Sequence, residues 1–291
     1  MTEQAPFGGS FLVETDWLAA HLADADLRIV DIRGIIRSPD APKPWYLPQL
    51  EAYREAHIPG AVFVDWTEEV VEPRAPVRMT LAGPERFKAL VERLGIGDRH
   101  RVVVYDDTGA IAPRFWWILN YYGHPEVRLL NGGWPKWVAE GQPVTAEIPA
   151  HPSAVFIPRV CPEWRVAAPE VRSILNDPHV ALVDCRSPKE FRGEIGRGER
   201  KGRIPGAVNV PVGRFLDPQQ KTWKDPTEIR KMFEDAGVTP TRRVVTYCNA
   251  GVSAAVGLFA LKLLGYEHAA NFAGSWYEWE LDPANPVHVG E

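Results

Sequence analysis

The stretch RRVVTYCNAGVSAAVGLFALKLLG (242–265) decides the fold. It opens with RRVVTY, a short β-branched run, and continues into an apolar helix candidate that ends at Gly265. A strand followed at once by a helix predicts a right-handed crossover in a parallel sheet. Ligands of such sheets bind beyond the carboxyl ends of the strands. The turn at residues 248–253 is therefore the first place to look for a functional site.

The same unit occurs twice along the chain. RVVVYDDTGA (101–110) matches RVVTYCNAGV (243–252) at an offset of 142 residues. An Asp-x-Arg after an apolar run, followed later by Ile-Pro-Gly-Ala-Val, occurs within residues 28–64 and again within residues 180–210. Because these similarities recur in one order, they indicate two copies of one fold.

The repeat predicts two domains, residues 1–150 and residues 164–291, joined by a linker at residues 151–163. The linker lies within the proline-rich stretch 147–164. In each copy, short apolar runs alternate with helix-like segments, which predicts an α/β fold with a mostly parallel sheet. In the second copy, the strands are expected at 180–185, 207–211, 242–248 and 268–273, with helices at 169–176 and 227–236.

Composition restricts the classes of partner. The 291 residues have a formal net charge of -5, which gives no long-range attraction to polyanions, so nucleic acid is not expected as a partner. The chain has no run of about 18 apolar residues, and a membrane span is not expected. The N-terminal sequence MTEQAPFGGS does not resemble a secretory signal.

The cysteine and histidine patterns restrict cofactors and location. Three dispersed cysteines do not make a disulfide framework and predict a reducing, cytoplasmic location. The eight histidines show no metal-ligand spacing, and no Cys-x-x-Cys pair occurs. We therefore expect no metal and no other cofactor. The sequence leaves the oligomeric state open.

Cys248 opens the loop Cys248-Asn249-Ala250-Gly251-Val252-Ser253, directly before a helix. Backbone N–H groups without intrahelical partners point into such a turn, and the helix dipole adds about half a positive charge. This setting stabilises an anion on sulfur. Gly251 allows the loop to curl so that successive N–H groups converge. Cys248 is therefore the candidate nucleophile, although a cysteine at the end of a buried strand is often only a small core residue.

The other cysteines lack this setting. Cys185 lies in an apolar run and is predicted to be part of the core, and Cys161 lies in the linker. In the first copy, Asp106 stands at the place equivalent to Cys248. The turn therefore exists in both copies but contains a thiol only in the second.

Two copies of Asp-x-Arg…Ile-Pro-Gly-Ala and one cysteine before a helix resemble the rhodanese family, specifically the two-domain thiosulfate and 3-mercaptopyruvate sulfurtransferases. The resemblance extends from about residue 10 to the end of the chain. It implies two tandem rhodanese-like domains, each a mostly parallel sheet with helices on both faces. It also implies that the first domain is inactive, with Asp106 in place of the cysteine, and that the site lies in the crevice between the domains.

The resemblance further implies double displacement. Cys248 would take a sulfane sulfur from a small-molecule donor, become a persulfide, and pass the sulfur to a thiophilic acceptor such as cyanide. The persulfide anion would be held by the N–H groups of the loop. These loop residues are Asn249, Ala250, Gly251, Val252 and Ser253.

The residues around the cysteine bear on the identity of the donor. Thiosulfate enzymes often have a basic pair after the cysteine, where this chain has Asn249 and Ala250. Mercaptopyruvate enzymes resemble Cys-Gly-Ser-Gly-Val-Thr, with the serine relayed to a histidine and an aspartate. Ala250, Arg78 and Thr67 occupy those three places here. The missing relay favours thiosulfate, with 3-mercaptopyruvate as the alternative donor and a non-catalytic persulfide carrier as the alternative function.

Several arginines could bind the anionic part of a donor. Arg78, Arg186 and Arg192 are the candidates, although Arg186 is expected first of all to pair with Asp184. In mercaptopyruvate enzymes, an arginine after the Asp-x-Arg segment would bind the carboxylate. That place is Glu190 here, although Arg192 and Arg197 lie near enough to substitute. The basic stretch RGERKGR (197–203) is predicted to be a solvated loop.

Overall fold

The computed structural model describes residues 10–290, so the outer ends of the two predicted domains, residues 1–9 and 291, lie outside the described part. The described strands form two five-stranded sheets and one separate hairpin. In chain order the strands are β1 (Leu12–Val13), β2 (Leu27–Asp31), β3 (Gly34–Ile36), β4 (Tyr46–Pro48), β5 (Ala61–Phe63), β6 (Arg101–Tyr105), β7 (Val127–Leu130), β8 (Arg165–Val166), β9 (Val180–Asp184), β10 (Val208–Asn209), β11 (Arg243–Tyr247) and β12 (Ala269–Phe272).

The two sheets have the same topology. The first has the order β1-β7-β6-β2-β5, and the second has the order β8-β12-β11-β9-β10. All pairings within both sheets are parallel. The predicted tandem α/β fold is thereby confirmed. The antiparallel hairpin of β3 and β4 belongs to neither sheet.

Helices connect the strands in both halves. They are α1 (Thr15–Ala20), α2 (Leu50–Glu55), α3 (Pro84–Arg93), α4 (Ala112–Tyr121), α5 (Gly133–Ala139), α6 (Ala168–Ser173), α7 (Pro188–Phe191), α8 (Pro226–Asp235), α9 (Val252–Leu263) and α10 (Ser275–Trp279). Two short 3₁₀ helices cover Pro162–Trp164 and Val212–Arg214. No described helix combines the length and the apolar character needed to cross a membrane.

Successive side chains of β11 point to opposite faces of the second sheet, as strand geometry requires. Val244 belongs to the largest core cluster together with the apolar residues of α9. Val245 and Tyr247 belong to a smaller cluster that includes Trp276 of α10. Helices therefore cover both faces of the sheet, which explains why its strands are apolar throughout.

The two halves share one core. The helices α4 and α9 are equivalent in the repeat and pack against each other, and all residues of α4 are buried. Trp116 of α4 meets Phe259 of α9 edge to face, with ring centroids 4.8 Å apart. Because α4 and α9 each begin directly after a strand-end turn, this packing brings the two turns to the boundary between the halves.

Residues 141–161, between the two sheets, contain no helix or strand. A single bridge joins Thr145 to His57. We continue to propose 151–163 as the linker between the two domains.

Candidate active site

Cys248 directly follows β11, and the helix α9 begins four residues later at Val252. Val252 and Ser253 therefore form the first helical turn, not part of the loop as expected from the sequence. Gly251 has φ +73°, and a Cβ atom there would lie 2.4 Å from the carbonyl oxygen of Ala273. Only glycine fits this turn without strain. The thiol of Cys248 is buried, with the residue 3% exposed.

In the first half, the equivalent turn binds an anion of its own. The Asp106 carboxylate accepts hydrogen bonds from the N–H groups of Thr108 (2.8 Å), Gly109, Ile111 (2.6 Å) and Ala112 (2.6 Å). We call these four N–H groups the first nest. Burial raises the pKa of Asp106. The hydrogen bonds from the four N–H groups act in the opposite direction, because they stabilise the ionised carboxylate.

The second nest consists of the N–H groups at the same places in the second half, those of Ala250, Gly251, Ser253 and Ala254. Gly251 donates to the Ser275 hydroxyl at 3.0 Å. Within residues 10–290, no protein acceptor is found for the N–H groups of the other three. The second nest therefore retains free donors beside a thiol. It includes Ala254, which the sequence prediction omitted.

Ser275 stabilises the cysteine loop through its side-chain hydroxyl. Its buried hydroxyl accepts the N–H of Cys248 at 3.0 Å and lies 3.9 Å from the Cys248 sulfur. Ser275 has φ +51°, and its equivalent Gly133 has the same φ. A left-handed backbone costs a serine on the order of 1 kcal/mol, whereas glycine adopts it freely. The strained backbone of Ser275 is therefore accompanied by a hydroxyl that contacts the cysteine.

Asn249 anchors the loop to α7. Its side-chain amide donates to the carboxylate of Glu190 at 2.9 Å. Glu190 is itself fixed by a capping box with Ser187 at the start of α7. This bond directs the Asn249 side chain toward Glu190 and leaves the nest to backbone N–H groups.

The three predicted arginine ligands lie in different places. Arg186 is buried and donates to the carboxylate of Asp184 and to the carbonyl of Gly202. It therefore has the structural role expected of the Asp-x-Arg pair, and its role as a donor ligand stays a prediction. Arg192 pairs with Glu194 at 2.6 Å, with both side chains partly exposed.

Arg78, the third candidate, lines a cleft of about 600 Å³ between the two halves. Lys43 comes from the first half, and Tyr277 and Arg197 come from the second. The hydroxyl of Tyr277 lies 3.3 Å from that of Tyr46 in the hairpin β3–β4. Burial raises the pKa of both tyrosines, with the nearby Cys248 as a further cause. The backbone N–H of Tyr277 donates to the carbonyl of Asn249 at 3.0 Å, so the cleft is adjacent to the cysteine loop.

The predicted solvated loop at residues 197–203 has exposed side chains at Glu199 and Lys201, but Arg197 and Arg203 are buried. The Arg197 side chain is only 6% exposed, and its guanidinium lies over the ring of Tyr46 at 5.2 Å. Its Nε and Nη1 atoms have no hydrogen-bond partner within the described part of the chain, although Nε lies 4.0 Å from a Glu190 oxygen. A buried cation with free N–H groups beside a cleft can bind an anion. The positive charges of the stretch gave no sign of this burial.

Arg114 is a further residue that the sequence analysis missed. It extends from α4 across the boundary between the halves and donates to the carbonyl of Ala250 at 2.6 Å. A charged residue in a largely apolar helix is a signal that the sequence does contain. Among residues 10–290, no group of three or more His, Cys, Asp or Glu side chains is arranged to hold a metal ion.

The geometry can be compared with known proteins. The family described as Rhodanese-like domain matches this chain twice, at residues 14–140 and 167–282. The chain belongs to the rhodanese family. Its relatives include the sulfur carrier protein TtuD of Thermus thermophilus, 35% identical over 96% of this chain and 97% of that protein. They also include the thiosulfate sulfurtransferase of Gallus gallus, 34% identical over 93% of each chain.

A solved structure shows the same two-domain architecture as this rhodanese. It is the 3-mercaptopyruvate sulfotransferase SseA from Escherichia coli, whose title describes the rhodanese fold. The TM-score is 0.82 at 29% identity, with 92% of this chain and 99% of SseA covered. The relatives thus support a sulfurtransferase function and include proteins named for both donors.

In this rhodanese, Asp107 lies beside the first nest, and burial together with the neighbouring Asp106 raises its pKa to about 6. A carboxyl whose pKa is raised in the folded state stabilises the protein below its unfolded pKa of about 3.9, and this contribution is lost as the pH rises through 6. Asp107→Asn should therefore increase the free energy of unfolding at pH 7.5 by about 1 to 3 kcal/mol. Urea unfolding at pH 4 and pH 7.5 would measure this, and an equal effect at both pH values would contradict it.

Proposed function

We propose that this rhodanese transfers a sulfane sulfur from thiosulfate to a thiophilic acceptor such as cyanide through a persulfide on Cys248. The observation that supports the proposal is the second nest. Asp106 places a carboxylate in the first nest, and Cys248 stands at the equivalent place beside N–H groups without a protein acceptor. A persulfide on Cys248 would place its terminal, negatively charged sulfur near these N–H donors, as the side chain of Asp106 places its carboxylate in the first nest.

The two steps are nucleophilic displacements at sulfur. The Cys248 thiolate attacks the outer sulfur of thiosulfate, the S–S bond of the donor breaks, and sulfite leaves with the electron pair. Cyanide then attacks the outer sulfur of the persulfide, which releases thiocyanate and restores the thiolate. Dividing the transfer in this way replaces one difficult step by two easier ones. The second nest would stabilise the negative charge that the sulfur carries between the steps.

Arg197 and Arg78 are the proposed ligands of the sulfonate part of thiosulfate. Arg197 has unsatisfied donors in a buried position, where a charge-assisted hydrogen bond is strongest. Arg78 is exposed at the same cleft. The two cations come from different halves of the chain, so a donor would bind across the boundary between the domains.

Thiosulfate is preferred over 3-mercaptopyruvate because of the leaving group. Sulfite leaves as a stable anion, whereas pyruvate leaves as an enolate that needs a proton. The places of the serine, histidine and aspartate relay are occupied by Ala250, Arg78 and Thr67. The Thr67 hydroxyl donates to the Asp65 carboxylate at 2.6 Å, which engages it locally. These residues do not make a proton relay to the cysteine.

A paired measurement tests the proposal. We expect kcat/KM with cyanide to be higher for thiosulfate than for 3-mercaptopyruvate, and the reverse order would favour the mercaptopyruvate function. The relative named as a sulfur carrier makes a carrier function the second candidate. A carrier would gain one sulfur atom on Cys248 in a single turnover, seen by mass spectrometry, but would show negligible steady-state turnover with small acceptors.

We also propose a cytoplasmic location and small molecules as donor and acceptor. The described cysteines Cys161, Cys185 and Cys248 are all free, which supports a reducing compartment. A persulfide also survives best where no oxidant converts the thiol to higher oxidation states. Fractionation of the source cells would test the location.

Arg197→Met should raise KM for thiosulfate by about 10- to 100-fold, since a buried hydrogen bond to a charged group contributes about 1.5 to 3 kcal/mol. Arg78→Ala should raise it by less than about fivefold, because an exposed ion pair contributes at most about 1 kcal/mol. A neutral organic persulfide serves as the control donor, and its KM should change little in either variant. Equal effects on the KM values of both donors would contradict the proposal that these arginines bind the sulfonate part of thiosulfate.

A further inference from the structure

We infer that Arg114 of the inactive first domain is a positioning residue that supplies the buried positive charge opposite the sulfur anion of Cys248. The inference rests on the proposed function only in taking Cys248 as the reacting sulfur. It gives the first domain a direct part in the chemistry of the second.

Arg114 holds two loops from different halves of the chain. It lies in the first turn of α4 and is 1% exposed. Its Nη1 donates to the carbonyl of Ala250 at 2.6 Å, and its Nη2 donates to the carbonyl of Met79 at 2.7 Å. Ala250 is in the cysteine loop, and Met79 adjoins Arg78 at the cleft. Arg114 thus ties the cysteine loop to the segment that lines the donor cleft.

Arg114 has no carboxylate partner within the described residues. By contrast, the buried Arg33 and Arg186 have ion pairs with Asp31 and Asp184 at 2.8 and 2.5 Å. A buried charge without a counter-ion costs several kcal/mol. Its Nε also has no hydrogen-bond partner among residues 10–290. An anion bound near Arg114 would therefore be stabilised by this uncompensated positive charge.

The hydrogen bond from Arg114 to the carbonyl of Ala250 places the guanidinium at the cysteine loop, where few groups can become negative. Burial lowers the pKa of Arg114 to about 10, which leaves it cationic at neutral pH. The groups whose negative charge would oppose this shift are Cys248 first and Tyr46 second. Burial raises the pKa of Tyr46, so the tyrosine is neutral at pH 7. Cys248 opens the loop to which Arg114 is hydrogen-bonded through Ala250, so we infer that the missing anion is the sulfur anion formed on Cys248 during transfer.

The other ionisable groups around Cys248 do not supply the negative charge that Arg114 lacks. Tyr277 of α10 and Cys185 at the end of β9 both have pKa values raised by burial and are neutral. Asp184 is paired with Arg186, and Glu190 binds the amide of Asn249. Arg197 and Arg78 face Tyr277 at the cleft, where the donor would bind.

The repeat shows that this arrangement is asymmetric. The offset of 142 residues places Val256 of α9 at the position of Arg114 in α4. The first half therefore has a carboxylate in its nest and a cation that extends to the other half. The second half has a thiol at its nest and an apolar residue at the equivalent helical position. The positive charge of Arg114 in the first half thus faces the cysteine of the second half, and the second half has no equivalent cation in α9.

The test is the pH profile of Cys248 alkylation by iodoacetamide, followed on the Cys248 peptide by mass spectrometry. Arg114→Gln keeps a side-chain donor but removes the charge. It should slow alkylation at pH 7 by at least about tenfold and shift the profile to higher pH by about one unit, the shift that a tenfold change in thiolate fraction implies. Arg114→Lys keeps the charge and should leave the profile within about threefold of wild type.

Arg28→Gln is the matched control. Arg28 is also buried in the first half and donates only to carbonyls, those of Gly95, Ala25 and Leu27. Its loss should destabilise the fold without shifting the Cys248 profile. An unshifted profile in folded Arg114→Gln would overturn the inference. If that variant does not fold, Arg114→Lys decides, because a shift of one unit with the charge retained would overturn it as well.

The failure of this inference and the failure of the proposed function are distinguishable. Alkylation uses no sulfur donor and reports only the state of the Cys248 sulfur. A normal profile in Arg114→Gln would leave the persulfide mechanism intact. Turnover that persists without the Cys248 thiol would instead refute the proposed function.

Discussion

Cys248→Ser should abolish the turnover of thiosulfate and of every other donor. A serine hydroxyl is not ionised at neutral pH and does not form a persulfide, so both displacement steps lose their nucleophile. The loss of a nucleophile that acts as part of a unit typically reduces kcat by at least about 10³-fold. We expect thiocyanate production with cyanide to fall below detection. The fold should be retained, because the substitution is nearly isosteric and the serine hydroxyl adjoins N–H donors.

The other two cysteines provide matched controls for this experiment. Cys161 lies in a segment without helix or strand and is partly exposed, so Cys161→Ser should leave activity and stability unchanged. Cys185 is buried against Gly257 of α9, and Cys185→Ala should lower stability but retain turnover. Circular dichroism and thermal unfolding would separate loss of activity from loss of fold. Substantial turnover in Cys248→Ser would show that another group performs the transfer.

The fold and the cysteine could be predicted because both are encoded in short stretches of sequence. The apolar runs at β9 and β11 are long enough to identify buried parallel strands, and their recurrence after 142 residues identifies the tandem repeat. The place of Cys248 between β11 and α9 follows from the same local pattern. Comparison of the two copies, with Asp106 in one and Cys248 in the other, then distinguishes the turn that contains a thiol.

The rest of the site depends on partners that are distant in sequence. Arg197 and Arg203 belong to a basic stretch that resembles a solvated loop, yet both are buried because the hairpin β3–β4 and the C-terminal segment cover them. Arg114 meets the carbonyl of Ala250, which is 136 positions away along the chain. The offset of 142 residues matches Ser275 with Gly133, but the positive φ that the two share is a property of the folded backbone. No local pattern reports such contacts.

Asp106→Asn should destabilise the protein by about 2 to 4 kcal/mol, because its nest binds both carboxylate oxygens. An asparagine retains one accepting oxygen and directs its amide group at N–H donors. The contacts of the Ile111 and Ala112 N–H groups are both with Oδ2, so replacing this atom by nitrogen breaks two bonds at once. The free energy of unfolding, measured by urea denaturation at pH 7.5, would determine the loss.

The neighbouring Asp107→Asn is the matched control for Asp106→Asn, because the two changes are chemically identical but should have opposite signs. Asp107 has a buried oxygen without a partner within the described residues, so neutralising it relieves a cost, whereas neutralising Asp106 leaves N–H donors facing an amide. If both variants lost stability equally, the first nest would not discriminate an anion from a neutral group. The second nest, built from the same turn, would then have no physical reason to favour a persulfide anion on Cys248. The stability of the first domain therefore tests the chemistry proposed for the second.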